Sequence, residues 1–131
     1  MELVVVTLII GILASIAVVS FLGQVSNAQN AASRTYLTNA YKVSIAENLL
    51  DGGNGYPERE ELASSLSSQI RPTSVIDDVD ETNDDSLGVI MSSGETLVLS
   101  YRGGNNTVWV LSTDPLNGLR VTKAADYIPP P

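Results

Sequence analysis

The stretch MELVVVTLIIGILASIAVVSFL, residues 1–22, carries one charged side chain, Glu2. From Leu3 to Leu22 the apolar run is interrupted only by Thr7, Gly11, Ser15 and Ser20. Those twenty residues rise about 30 Å as a helix, the thickness of a hydrocarbon core. A signal-peptide core is shorter, about 7–15 residues, and ends in a cleavage site. Thr7, Gly11 and Ser15 recur every fourth residue, so small or hydroxylated side chains share one stripe along which helices approach closely. A carboxylate at the edge of such a helix calls for a partner, because a broken buried pair costs on the order of 3–5 kcal/mol. Glu2 is therefore the first candidate functional residue.

The helical pattern continues without a breaker to about Leu50. Val25, Ala28, Ala32, Tyr36, Ala40, Val43 and Leu50 follow steps of three and four, and Leu37, Tyr41, Ile45 and Leu49 widen the stripe. Residues 24–50 thus read as an amphipathic continuation of the apolar segment 1–23. Asp51-Gly52-Gly53-Asn54-Gly55 ends it. Arg34 and Lys42 read as solvated or subunit-contact charges.

Residues 51–131 form the head: a helical and loop connection over 51–85, then a sheet over 86–131. Pro57 with Glu58, Glu60 and Glu61 marks a helix start, and Leu62, Leu66 and Ile70 give it an apolar stripe to about Gln69, closed by Pro72. Asp77, Asp78, Asp80, Glu81, Asp84 and Asp85 then place six acids within nine residues. Such density is either solvated or neutralised by a cation, and calcium is the metal that suits flexible carboxylate loops, although the spacing is not that of an EF-hand. Segments 87–91, 95–102, 107–113 and 119–123 alternate as strands, and the short breaks between them favour a four-stranded antiparallel meander. Leu97, Leu99, Tyr101, Trp109 and Leu111 share one face, expected to lie on the long helix. Asn105-Asn106-Thr107 is a glycosylation-type sequon at a hairpin tip. The tail Tyr127-Ile128-Pro129-Pro130-Pro131 reads as extended.

At 131 residues the chain supports one domain and its anchor. The roughly eighty residues after the helix make a modest core alone, so helix and head are expected to pack as one α+β unit. Fifteen acidic against seven basic residues give a net charge of −8, which disfavours binding of nucleic acid along its surface. Cysteine and histidine are absent, which removes disulfides, Cys-His and Ser-His-Asp catalysis and the usual zinc sites. No enzyme activity and no cofactor beyond that calcium option are expected.

Met1-Glu2-Leu3-Val4-Val5-Val6, followed by Ile9-Ile10-Gly11-Ile12-Leu13-Ala14-Ser15-Ile16-Ala17, resembles the mature N-terminus of type IV pilins and pseudopilins. The resemblance implies a ladle: a long helix packed on an antiparallel sheet. It implies a homopolymer whose subunits wait in the inner membrane and end in an extracellular filament serving motility, adhesion or DNA uptake. Glu2 would neutralise the N-terminal ammonium of a neighbouring subunit or of its own chain, and Gly11 would share in assembly. The implied partners are the assembly platform, the prepilin peptidase and minor pilins.

Family members begin three residues earlier, with a methylated Phe after a leader, so those residues are expected to precede Met1. They also often carry a proline where this chain has Val19. Any stretch that unwinds in the filament is therefore expected between Gly11 and Ser20, across Ser15 and Val19, and shorter than in proline-containing relatives. The alternatives are a pseudopilin of a type II secretion system and, further off, a membrane-tethered monomeric binding domain.

Overall fold

The computed structural model describes residues 2–129, so Met1 and the final prolines of the expected tail, Pro130 and Pro131, lie outside them. A single helix, α1 (Glu2–Leu50), runs 49 residues without a break, about 74 Å at 1.5 Å per residue. Its end is fixed by the glycine-rich turn: Gly53 N donates to Asn48 O at 2.8 Å, and Gly52 and Gly53 adopt φ of 80° and 76°. A second helix, α2 (Arg59–Gln69), follows where the Pro57 start and Pro72 stop place it.

The sheet has strands β1 (Thr73–Val75), β2 (Leu87–Ser93), β3 (Thr96–Arg102), β4 (Val108–Asp114) and β5 (Gly118–Lys123), in that spatial order. Strands β2 to β5 form the expected antiparallel meander. The fifth strand is an addition: β1 lies parallel to β2, with Thr73 opposite Leu87 and Val75 opposite Val89. Three residues show no period, and their partner lies beyond a connection, so nothing local announces this strand.

Leu37 and Ala40 of α1, Leu62, Ala63 and Leu66 of α2, and Leu87, Val89, Leu97, Leu99, Tyr101 and Leu111 of the sheet form one core. The buried line of α1 runs Ser33–Leu37–Ala40–Ser44, whereas Ala28, Ala32 and Leu50 of the expected stripe are exposed. Both serines donate to the carbonyl one turn back, Gln29 O and Ala40 O, each at 2.9 Å. Small side chains with internally satisfied hydroxyls let α1 approach the sheet at positions that polarity alone assigns to solvent. Trp109 is half-buried at the margin of this core rather than inside it.

The opposite face of the sheet is covered too, a layer the sequence pattern left out. Val98, Ser100 and Val110 are fully buried there. The connection between β1 and β2 crosses them: Ile76 packs over Gly88, and the Thr82 and Ser100 hydroxyls pair at 2.7 Å. The acidic segment is therefore a strap lying on the outer face, while α1 and α2 cover the inner one.

Candidate functional site

Helix α1 divides into two parts with opposite environments. Every large apolar side chain from Leu3 to Leu22 is 52–77% exposed, so the head covers none of them. Within α1 an 18-residue window reaches a mean hydropathy of 2.8, and the helix is long and apolar enough to cross a membrane. Two of its three hydroxyls return to the helix backbone: Thr7 Oγ1 donates to Val4 O at 2.9 Å and Ser15 Oγ to Ile12 O at 2.7 Å. The helical backbone and these two bonded hydroxyls leave the stretch compatible with an apolar surrounding.

Glu2 sits in the first turn, where the helix dipole favours a carboxylate, and it is exposed. Gly11 faces open space, with nothing within 4 Å of an added Cβ. Ser15, Val19 and Ser20 lie within continuous α-helix and are exposed. Glu2, Gly11 and these three residues are strung along one helix and, among the described residues, come together with no other element.

The second half of α1 is tied to the head at three places. Arg71, just before β1, donates from Nη2 to Tyr36 Oη at 2.7 Å and stacks 4.2 Å from that ring's centroid. Arg71 also pairs with Asp85, whose Oδ1 accepts from Tyr101 Oη at 2.6 Å. This clasp joins α1, the strap and β3. The Tyr101 bond and then the Arg71 guanidinium hold the Asp85 carboxyl below the ordinary carboxylate value. Burial and the Asp85 bond push the Tyr101 phenol up to about 12. Asp85 is held at φ 56°, a left-handed conformation tolerated by Asp better than by most residues.

Near the middle of α1, Asn30 Oδ1 accepts from Asn105 Nδ2 at 2.8 Å and from Trp109 Nε1 at 3.3 Å. The guanidinium of Arg34 lies 5.5 Å from the Trp109 ring centroid. At the far end, Glu47 Oε1 accepts from Ser65 Oγ and Gln69 Nε2 of α2. The hydroxyl of Tyr36 and the indole N–H of Trp109 were the available signals for the first two ties, since buried aromatic polar atoms need partners. Arg71 and Asn30 carried no local signal.

The six strap carboxylates are drawn apart rather than together. Asp77 pairs with Arg59 at 3.1 Å, Asp84 faces Arg102 at 3.7 Å, and Asp85 is held by Arg71. Asp78 Oδ1 caps the short turn Val79–Glu81 by accepting from Asp80 N, and Glu81 accepts from Asp77 N. Among the described residues no three carboxylates gather into a metal-binding group. Arginines from α2, from the turn before β1 and from β3 supply the positive charge locally. The sequon asparagine is equally committed: Asn105 Nδ2, the atom a glycan would occupy, binds Asn30, and its Oδ1 accepts from Thr107 N.

No family model matches the chain, and neither a curated protein nor a solved structure does.

Proposed function

We propose that this chain is the structural subunit of a type IV pilus-like filament, polymerising through residues 2–22 of its long helix. The observation that carries this reading is the division of α1. One half is welded into a folded head, and the other projects as a bare apolar rod ending in one carboxylate. A simple anchor needs no rigid continuity with the domain it holds. A polymerising helix does, because the head must keep its register while neighbouring rods pack.

In this reading, lipid surrounds the rod first, and other copies replace it. Burying apolar side chains against copies exchanges one apolar contact for another, so close packing along the Thr7–Gly11–Ser15 stripe and the pairing of Glu2 supply the discrimination. Glu2 would lie beside the N-terminal ammonium of a neighbour, removing the cost of leaving either charge unpaired.

Electron microscopy of the purified, assembled chain tests this directly, with Glu2→Ala as the companion variant. Fibres from the wild type, and monomeric, normally folded head from Glu2→Ala, are expected. A wild-type chain that stays monomeric under assembly conditions, or Glu2→Ala fibres as abundant as wild type, would overturn the proposal.

A further inference from the structure

The chain contains two Asn-Gly pairs, Asn54-Gly55 and Asn117-Gly118. Asparagine followed by glycine is the pair most open to attack on the carboxamide by the next backbone nitrogen, because glycine puts no side chain in the way. The fold requires both glycines. A Cβ at Gly55 would lie 2.7 Å from Gly94 O, and Gly118 holds φ at 66°. Both asparagines are exposed, so water reaches each of them. What separates them is bonding.

Asn117 is locked by one carboxylate. Asp114 Oδ1 accepts from Asn117 N at 2.8 Å, and the two Asp114 oxygens accept from Asn117 Nδ2 at 3.2 and 3.1 Å. Gly118 already stands in the ladder opposite Asp114. Swinging the carboxamide onto Gly118 N breaks both side-chain bonds, and the adjacent negative charge disfavours the amide anion that must attack. The Asn117 bonds in turn hold the Asp114 carboxyl below its ordinary value, so that charge persists at neutral and alkaline pH. Asn54 is held far less. Its Nδ2 donates once, to Asp51 O at 3.0 Å. The N–H of Gly55 reaches Asn48 Oδ1 at 3.3 Å, long for such a bond. Gly52, Gly53 and Gly55, all at positive φ, surround it.

We propose that Asn54 is a site of spontaneous deamidation in the folded chain, and that the Asp114 carboxylate protects Asn117 from the same reaction. Gly55 N gives its proton to solvent and attacks Cγ of Asn54. The Cγ–Nδ2 bond breaks, and the nitrogen takes up a proton and leaves as ammonia, with a succinimide left behind. Water then opens the ring at one carbonyl or the other, giving aspartate or isoaspartate. Water is the only co-reactant, and the reaction proceeds whether or not the chain polymerises. The change falls between the end of α1 and the bridge in which Tyr56 N donates to Gly94 O at 2.7 Å. The closed ring leaves Gly55 no N–H for Asn48, and isoaspartate lengthens the main chain by one carbon where Gly55 is already tight against Gly94. Either product also adds a carboxylate just beyond the C-terminus of α1, which opposes the helix dipole.

The detergent-held full chain is incubated at mildly alkaline pH, sampled over time, digested with trypsin and mapped by mass spectrometry. The same chain unfolded in guanidinium is the control. Asn54 falls in peptide 43–59 and Asn117 in peptide 103–120. Isomerisation of Asp51-Gly52 leaves the mass unchanged, so an amide-to-acid mass shift, placed by fragment ions, reports Asn54 alone. In the folded chain Asn54 is expected to convert severalfold faster than Asn117, whereas the unfolded chain converts both at similar rates. Asp114→Ala is expected to raise the Asn117 rate severalfold and leave that of Asn54 unchanged. Equal rates in the folded chain, an Asn54 that stays intact there while the unfolded chain converts, or an Asn117 rate unmoved by Asp114→Ala would overturn the proposal.

Discussion

Arg71 and Tyr36 meet twice: the guanidinium stacks 4.2 Å from the ring centroid and donates to the hydroxyl at 2.7 Å. The pair fastens the projecting helix to the segment that leads into the sheet. Arg71→Ala removes both contacts and leaves Asp85 without its cation. A loss of about 1–3 kcal/mol is expected, and Tyr36→Phe, which keeps the ring, should lose about 1 kcal/mol. Thermal unfolding of the detergent-solubilised full chain checks this, at roughly 4–8 °C per kcal/mol for a head of this size. Equal melting temperatures for Arg71→Ala and wild type would exclude the clasp as a fastening.

The same clasp sets the acid limb of stability. Asp85 is held below the ordinary carboxylate value of 3.8 by the Tyr101 hydroxyl first and Arg71 second. A depressed folded-state value means the contribution is complete above 3.8 and lost as pH falls through the lower, folded-state value. The carboxylate is largely solvent-exposed, which screens the effect and keeps it small. Asp85→Asn should flatten the acid limb of a stability-versus-pH curve measured from pH 5 downward, where about pH 5 marks the onset expected of carboxylate linkage.

The alkaline limb has the opposite origin. Tyr101 and Tyr56 are both raised to about 12, each mainly by burial. Below pH 10 both states hold these protons and the contribution is complete. Above 10 the unfolded chain ionises first, so stability falls until the folded values near 12 are reached. Tyrosinate absorbance should therefore rise late and together with unfolding, and Tyr101→Phe should remove part of that dependence. Tyrosine ionisation complete before any loss of structure would contradict it.

Much of this was legible because period and punctuation are local. The run from Leu3 to Leu22, the glycines after Leu50 and the alternation of β2 to β5 state their own conformations. What was hidden depends on pairings that periodicity and polarity do not record. Ser33 and Ser44 can be buried because their hydroxyls are bonded back to the helix backbone, which a polarity scale does not register. Strand β1 exists through pairing with β2. The carboxylates of the acidic segment are exposed, as their density suggests, but Arg59, Arg71 and Arg102 converge on three of them and hold the segment against the sheet as a covering layer. Arginine positions in the sequence do not reveal such convergence.

Gly103 lies in the β3–β4 turn where it comes up against Ser33 of α1. A Cβ placed there would collide with Ser33 Oγ, itself bonded to Gln29 O. Gly103→Ala should push the turn away and strain the Asn30–Asn105 bond, costing about 1–3 kcal/mol as overpacking does. Ser33→Ala removes the colliding hydroxyl, so the double variant should recover most of the loss. Denaturant unfolding of the four chains supplies this cycle, and a double variant no more stable than Gly103→Ala would place the cost elsewhere.

The unbroken passage of α1 through Val19 sets the mechanics of the rod. Gly11 lowers helix preference by about 1 kcal/mol relative to alanine, whereas a proline at Val19 would cost about 3 and delete the N–H that closes onto Ser15 O. With only the milder breaker present, the isolated rod should exchange its amide protons slowly and evenly from Gly11 to Ser20 in detergent. Val19→Pro should open residues 15–19 selectively while leaving Ser33–Ser44 protected, because those positions are held by the head. Gly11→Ala fits without any collision and should tighten the rod further. In the proposed fibres, where neighbours would compete for the backbone, the weakest protection is expected between Gly11 and Ser20. Fibres in which that stretch is as protected as the rest of the helix would show that assembly proceeds on a rod that never unwinds.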